Sequence, residues 1–155
     1  MPDNPKRLQI IDRVVKIIGD IKAGENYFLT PIHVAKGFVA EPKGFPCYMV
    51  ISDSGGEIIM NMDNLWEETF YISIRGIVQA PDDVVTPLEK AIRDIRKAIG
   101  DDFKWGAEEG SLLTLASEIS IDSPPDIDYG FEGTSFFGFF SQRVRVRVFG
   151  EMGEI

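Results

Sequence analysis

The sequence predicts an α+β fold in which one mostly antiparallel or mixed β-sheet packs against two amphipathic α-helices. Two segments carry apolar residues at helical spacing, and a stretch of alternating apolar and polar residues separates them. A second alternating stretch follows the second helix. Strands that cluster around only two helices favour a sheet covered on one face over a doubly wound parallel sheet.

The first predicted helix extends from about Pro5 to Lys22. Asn4 is a capping residue type, and Pro5 suits the first helical position, where no backbone donor is needed. Apolar residues then recur every three or four positions, and Gly24 ends the pattern.

The next part of the chain predicts several strands. Residues 32–39 and 47–52 are short apolar runs, and the glycine-rich residues 53–56 predict a turn. Residues 57–62 are predicted to return as a short strand. In residues 70–79 apolar and polar side chains alternate, which is typical of a strand with one buried face.

The second predicted helix runs from Thr86 to Ile99. Thr86 followed by Glu89 is the pattern of a capping box, and Pro87 suits the first turn. Gly100 is predicted to end the helix.

The last third of the chain predicts two strands joined by a loop. Residues 113–121 alternate, and residues 122–135 read as an acidic loop that begins with a proline pair. Residues 136–149 are predicted as one long strand with valines inward and arginines outward. Such a strand would span about 48 Å. We therefore expect either a bulge at Gly138 or an end that overhangs its own domain.

The composition is that of one globular domain covering residues 1–155, with 44 % apolar and 26 % charged residues. The first 24 residues lack the layout of a signal peptide, and no apolar run approaches the roughly 20 residues of a membrane span. The single cysteine excludes an internal disulfide and favours a reducing cytoplasm. The net charge of −9 argues against nucleic-acid binding over the whole surface.

No catalytic centre, cofactor or metal is expected. His33 is the only histidine, which excludes histidine triads and two-histidine metal sites. Cys47 lies in an apolar strand, which predicts a buried structural thiol rather than a nucleophile served by His33. Asp122, Asp126 and Asp128 lack the spacing of a calcium-binding loop, so a solvated acidic loop is favoured over a cation site.

The candidate contact residues lie in and beside the long C-terminal strand. Phenylalanines occupy both faces of its beginning: Phe131, Phe136, Phe137, Phe139 and Phe140. A strand with one face on the core and one in water does not carry aromatic residues on both. The segment is therefore either sandwiched inside the monomer or covered on its second face by a neighbour.

Three arginines, Arg143, Arg145 and Arg147, share one face of this strand at intervals of about 7 Å. Like charges at that spacing need anions nearby. Three sources stay open: carboxylates of the same chain, carboxylates of a neighbouring subunit, and DNA. The acidic loop with Asp126 and Asp128 would complement the basic strand in a contact between identical subunits.

The order of elements carries a resemblance. An amphipathic helix precedes the strand with Lys36-Gly37, then residues 46–50, an acidic connector through Trp66, and a strand containing residues 74–76. A capped helix and a two-stranded ending follow. Across most of its 155 residues the chain resembles the tail terminator (tail completion) proteins of tailed bacteriophages and prophages. The resemblance lies in the order of the predicted elements, the length of the chain and the general residue pattern.

The resemblance implies a virion structural protein that is not an enzyme and that assembles as a hexameric ring. The ring caps the tail tube, ends tube polymerisation and docks the head-completion or neck proteins. Expected partners are further copies of the chain, the tail tube protein, the neck proteins and, in a contractile tail, the sheath protein. Assembly in the bacterial host cytoplasm and a position in the tail or neck are implied, without membrane contact and with DNA contact only in the ring lumen.

Two other functions stay open. A neck or head-completion connector would share the ring symmetry and would place arginines toward DNA. A small ligand-binding or enzymatic α+β domain would need a pocket with a few convergent polar groups, and the sequence offers no cluster to line it.

Overall fold

The computed structural model describes residues 4–60 and 65–151. In these ranges the chain forms three helices and six strands. The helices are α1 (Lys6–Gly19), α2 (Val85–Trp105) and α3 (Leu112–Leu115). The strands are β1 (His33–Lys36), β2 (Cys47–Met60), β3 (Leu65–Ala80), β4 (Glu118–Ser120), β5 (Asp126–Glu132) and β6 (Ser135–Glu151). The predicted α+β class is confirmed.

The strands form one mixed sheet in the order β1-β2-β3-β6-β4, and β5 also pairs with β6. Only β1 and β2 run parallel; the other pairs are antiparallel. β3 occupies one side of β6 along its whole length, so β4 and β5 share the other side.

The core lies between one face of the sheet and the helices α1 and α2. Alternate residues of β3 and β6 point into it, as the period of two along a strand requires. The buried residues of these two strands include Phe70, Ile72, Ile74, Val144, Val146 and Val148. They form one cluster with the apolar side chains of both helices, so the prediction of inward valines is confirmed.

The ends of α1 and α2 differ from the predicted ends. α1 ends at Gly19, with Asp20 at the C-cap position and its N–H on the Lys16 carbonyl, and no side chain caps its start. In α2 the cap is Asp83 rather than Thr86: its carboxylate accepts the Thr86 N–H at 3.2 Å and the Thr86 hydroxyl at 2.6 Å. These hydrogen bonds lower the pKa of Asp83. α2 also continues past Gly100 and ends at Gly106.

The predicted turn at residues 53–56 is wrong. Residues 57–60 form a strand as predicted, but the chain does not reverse before them. β2 continues in one direction, and Gly55 and Gly56, with φ of +99° and +98°, form a bulge at which the pairing with β3 shifts. Residues 61 and 62 lie outside the described residues. β1 is shorter than residues 32–39 because Gly37, with φ of +98°, turns the chain away from β2.

The C-terminal third also differs from prediction. Residues 113–121 form the short helix α3 and the strand β4 instead of one strand. Residues 126–132, predicted as loop, form β5 and pair with β6 as a hairpin. The bulge at Gly138 is absent, since the register of β3 and β6 is unbroken from Leu65↔Glu151 to Ala80↔Phe136.

A buried ion pair joins the three helices. The Arg13 guanidinium contacts the Asp102 carboxylate at 2.6 and 3.0 Å, and both side chains are 9 % exposed. Asp102 also accepts the N–H of Leu112 at 2.8 Å, and Arg13 reaches the exposed Glu108 at 2.8 Å. Burial acts to raise the pKa of Asp102, but the hydrogen bonds from Arg13 and Leu112 outweigh it and lower the pKa.

We expect Gly76→Ala to destabilise the protein by about 1–3 kcal/mol, because overpacking a filled core forces side chains out of place. Gly76 lies opposite Phe140, and a Cβ there would overlap the Phe140 ring. The matched control is Gly100→Ala in α2, where a Cβ meets nothing within 4 Å. It should stabilise by about 0.5–1 kcal/mol. Urea unfolding measures both changes; equal effects would contradict this account of Gly76.

We expect Asp102→Asn to lower the free energy of unfolding by about 3 kcal/mol, because Arg13 keeps its buried charge, loses its buried partner and retains only the exposed Glu108. The folded-state pKa of Asp102 lies below its unfolded value. Its stabilisation is thus present above about pH 4 and is lost as pH falls through the folded-state value. The variant should therefore lose less stability than wild type between about pH 5 and 2. Glu108→Gln, at the exposed partner, is the control with a smaller effect.

Candidate assembly surfaces

The hairpin formed by β5 and the first half of β6 carries aromatic side chains on both faces. Phe131 and Phe136 pair across the two strands on the face that carries the helices. The start of α2 covers this face only as far as Gly138, where an added Cβ would meet Val84 and Leu88 at 3.2 and 3.3 Å. Past Gly138, where α2 no longer covers the sheet, Phe131 is 78 % exposed and Phe136 is 43 % exposed. We call residues 126–141 the hairpin surface.

The five candidate phenylalanines divide into two groups. Phe140 is 3 % exposed and packs in the core against Tyr48, with ring centroids 6.1 Å apart. Phe137 is half-buried, because Phe45 from the loop between β1 and β2 packs edge-on against it at 5.5 Å. Phe131, Phe136 and Phe139 are exposed. The monomer therefore covers part of the segment and leaves aromatic side chains uncovered on both faces.

A second apolar surface lies at the other end of β6. It is formed by the distal ends of β2 and β3 beside the last residues of β6, and we call it the arm. Its exposed apolar residues are Ile58, Ile59, Met60, Leu65 and Phe149. The sequence predicts an acidic connector through Trp66, and that prediction missed the apolar residues of the segment. Phe136 and Phe149 are about 43 Å apart along the strand.

The three arginines lie on the sheet face away from the helices, and carboxylates of the same chain neutralise them. Arg147 contacts Glu67 at 2.9 Å and Glu118 at 3.1 Å, whereas Arg145 contacts Glu118 only at 3.9 Å. Of the three sources of anions that the sequence left open, the structure contains the intramolecular one.

Arg143 is held at the bulge of β2. It lies 3.5 Å from the Asp53 carboxylate, donates to the Ser54 carbonyl at 2.8 Å and stacks 3.5 Å from the Tyr71 ring centroid. The pKa of Asp53 is lowered first by the hydrogen bond from Ser73, then by the Ser54 N–H and by Arg143. The arginine therefore fixes the position of the arm relative to β6.

Asp126 and Asp128 lie on β5 and point to the same side of the sheet as Phe139. Together with Arg75 they border an apolar cavity of about 290 Å³ that includes Met49 and Ile77. The carboxylates of Asp126 and Asp128 are not grouped with that of Asp122 as the ligands of one cation would be. In residues 4–60 and 65–151, no three His, Cys, Asp or Glu side chains are grouped as metal ligands would be.

Cys47 and His33 are neighbours in the parallel register of β1 and β2, but no hydrogen bond joins these two described residues. Cys47 is fully buried, and burial raises the pKa of its thiol. His33 accepts the backbone N–H of Lys43 at 3.2 Å through Nδ1. Cys47 and His33 are therefore arranged as neighbouring strand residues and not as a hydrogen-bonded nucleophile and base.

No protein-family model matches this chain, and no match to it was found among curated proteins. None of the helices in the described ranges has both the length and the apolarity to cross a membrane.

We expect Arg147→Gln to destabilise the protein by about 1 kcal/mol at low salt, because it removes two half-buried ion pairs. Arg145→Gln is the matched control on the same face and should cost less, since its single contact is 3.9 Å long. The difference between the two variants in urea unfolding should shrink in 1 M salt, where the screening length is about 3 Å. A larger loss for Arg145→Gln would contradict this assignment of the ion pairs.

Proposed function

We propose that this protein is a structural subunit of a phage tail and that identical copies of it assemble into a closed ring, with six as the number that the family resemblance implies. The ring caps the tail tube, ends its polymerisation and offers a docking surface to the neck. The observation that carries the proposal is the hairpin surface, which exposes aromatic side chains on both faces of one strand pair.

The distribution of apolar surface supports assembly. Burying a large apolar side chain is worth about 1.5–3 kcal/mol, so the exposed Phe131, Phe136 and Phe139 represent a substantial driving force for association. A ring needs two different patches on each subunit that complement each other. The two sides of the sheet differ, since β1 lies at one edge and β5 with the hairpin surface lies at the other, so each subunit has two different edges.

In this function the partners are further copies of the chain, the tail tube protein and the neck proteins, with the sheath protein added in a contractile tail. The protein acts in the virion after assembly in the host cytoplasm. The connector hypothesis, which needs arginines available to DNA, gains no support, because Asp53, Glu67 and Glu118 already pair with the arginine row. For the ligand-binding hypothesis, the cavity beside Phe139 has Arg75, Asp126 and Asp128 at its border, but a ligand there leaves the exposed Phe131 and Phe136 unexplained.

We expect the wild-type protein to form a closed oligomer and Phe131→Ser to reduce it to monomers without unfolding, because Phe131 is 78 % exposed and contributes little to the core. Trp105→Ser is the matched control, since Trp105 is 69 % exposed but lies at the end of α2. Light scattering coupled to size exclusion gives the masses, and circular dichroism reports folding.

The capping role needs a second measurement. Wild-type protein added to polymerising tail tube protein should limit tube length in negative-stain images, and Phe131→Ser should not. A wild-type monomer at high concentration would contradict the ring, and tubes of unchanged length would contradict the cap.

A further inference from the structure

One edge of the sheet is open where β1 ends. β1 pairs with β2 only from His33↔Cys47 to Lys36↔Val50, and the Gly37 N–H closes on the Val50 carbonyl at 2.9 Å. Backbone groups of a strand alternate between its two sides. The N–H and C=O of Ser52 therefore point to the same side as those of Val50, where β2 has no neighbouring strand among the described residues.

A groove of about 340 Å³ lies beside this edge. Leu8 and Ile11 of α1 form one wall, and residues 36–38 and 50–52 form the rest. The lining is apolar apart from Lys36 and Ser52 and contains no carboxylate. Arg7 donates to the Ser52 hydroxyl at 2.7 Å. Both cations beside the groove pair with carboxylates of the same chain, Lys36 with Asp12 at 2.8 Å and Arg7 with Glu68 at 3.8 Å. An open strand edge beside a pocket is the arrangement by which proteins bind an added strand.

The strand β5 complements this groove in its apolar side chains. Its carboxylates, Asp126, Asp128 and Glu132, lie on the opposite face of the sheet. β5 pairs with β6 alone, so its outer edge is also open in the described chain. On the face that carries the helices it exposes Tyr129 and Phe131.

The directions of the strands allow β5 of one copy to pair with β2 of another copy. β5 and β3 are both antiparallel to β6, and β2 is antiparallel to β3, so β5 runs opposite to β2. Rotation about an axis parallel to the strands preserves these directions from copy to copy. β5 of one copy then meets β2 of the next as an antiparallel pair, with its aromatic side chains on the α1 side.

We propose that the open edge of β2 around Ser52 is the receptor for β5 of a second copy, with the exposed aromatic side chains of β5 in the groove beside α1. The contact is heterologous, continues the sheet from one subunit to the next and leaves an open oligomer with one free groove at one end and one free β5 at the other until the ring closes. This inference rests on the proposed function and names the two surfaces that join.

Ser52→Pro tests the inference, because proline removes the outward N–H and is tolerated on edge strands whose N–H faces solvent. We expect it to be folded and monomeric at concentrations at which wild type is a ring. Ser52→Ala, which keeps the N–H and loses the hydroxyl, is the matched control and should form rings. If Ser52→Pro does not fold, Phe38→Glu replaces it, since Phe38 lines the groove at 73 % exposure and a carboxylate there is unfavourable beside the aromatic side chains of β5.

Mixing the groove variant with Phe131→Ser completes the test. Each mixed pair has one intact groove and one intact β5, so native mass spectrometry should show one-to-one heterodimers and no rings. Wild-type rings together with rings of the groove variants would overturn this inference and leave the proposed function standing. Absence of heterodimers would also overturn it, and a monomeric wild type would overturn both.

Discussion

The structure depends on the pairing of β3 with β6. All 16 residues of β3 pair with β6 in one register, and this pair holds together the two outer parts of the sheet. The 17 residues of β6 extend about 56 Å, whereas the 21 residues of α2 extend only about 32 Å. A helix of that length cannot cover such a strand. The exposed hairpin surface and the exposed arm are the two ends that the helical layer leaves uncovered.

Much of this fold could be predicted from local pattern. The alternation in residues 70–79 and 136–149 and the helical spacing after Pro5 and Thr86 gave the central strands and both helices, because burial on one face imposes those periods. The failures have a common cause. Gly55-Gly56 suits a turn or a bulge equally well, and only the length of the partner strand β3 decides between them. Likewise, residues 126–132 become a strand because β6 offers them an edge.

The candidate site was predictable in part. The sequence showed aromatic residues on both faces of the strand. It did not show that Phe140 is buried whereas Phe131 is exposed. Phe140 is buried because Gly76, on another strand, leaves room for its ring. The partners of Arg147 were also hidden, since Glu67 and Glu118 are 80 and 29 positions away and reach it only through sheet registry. The apolar run at residues 58–60 was the signal available for the arm.

The bulge at Gly55-Gly56 has a consequence for solubility. A long, flat, apolar strand edge is a template for uncontrolled aggregation, and natural sheets interrupt such edges with bulges. Here the interruption falls between the apolar tip of β2 and the stretch around Ser52. A straight edge from Ile51 to Met60, beyond the residues that β1 covers, would accept any passing strand along its full length and favour fibrils. The two glycines keep the usable edge short, so that growth by sheet extension remains selective for a matching segment.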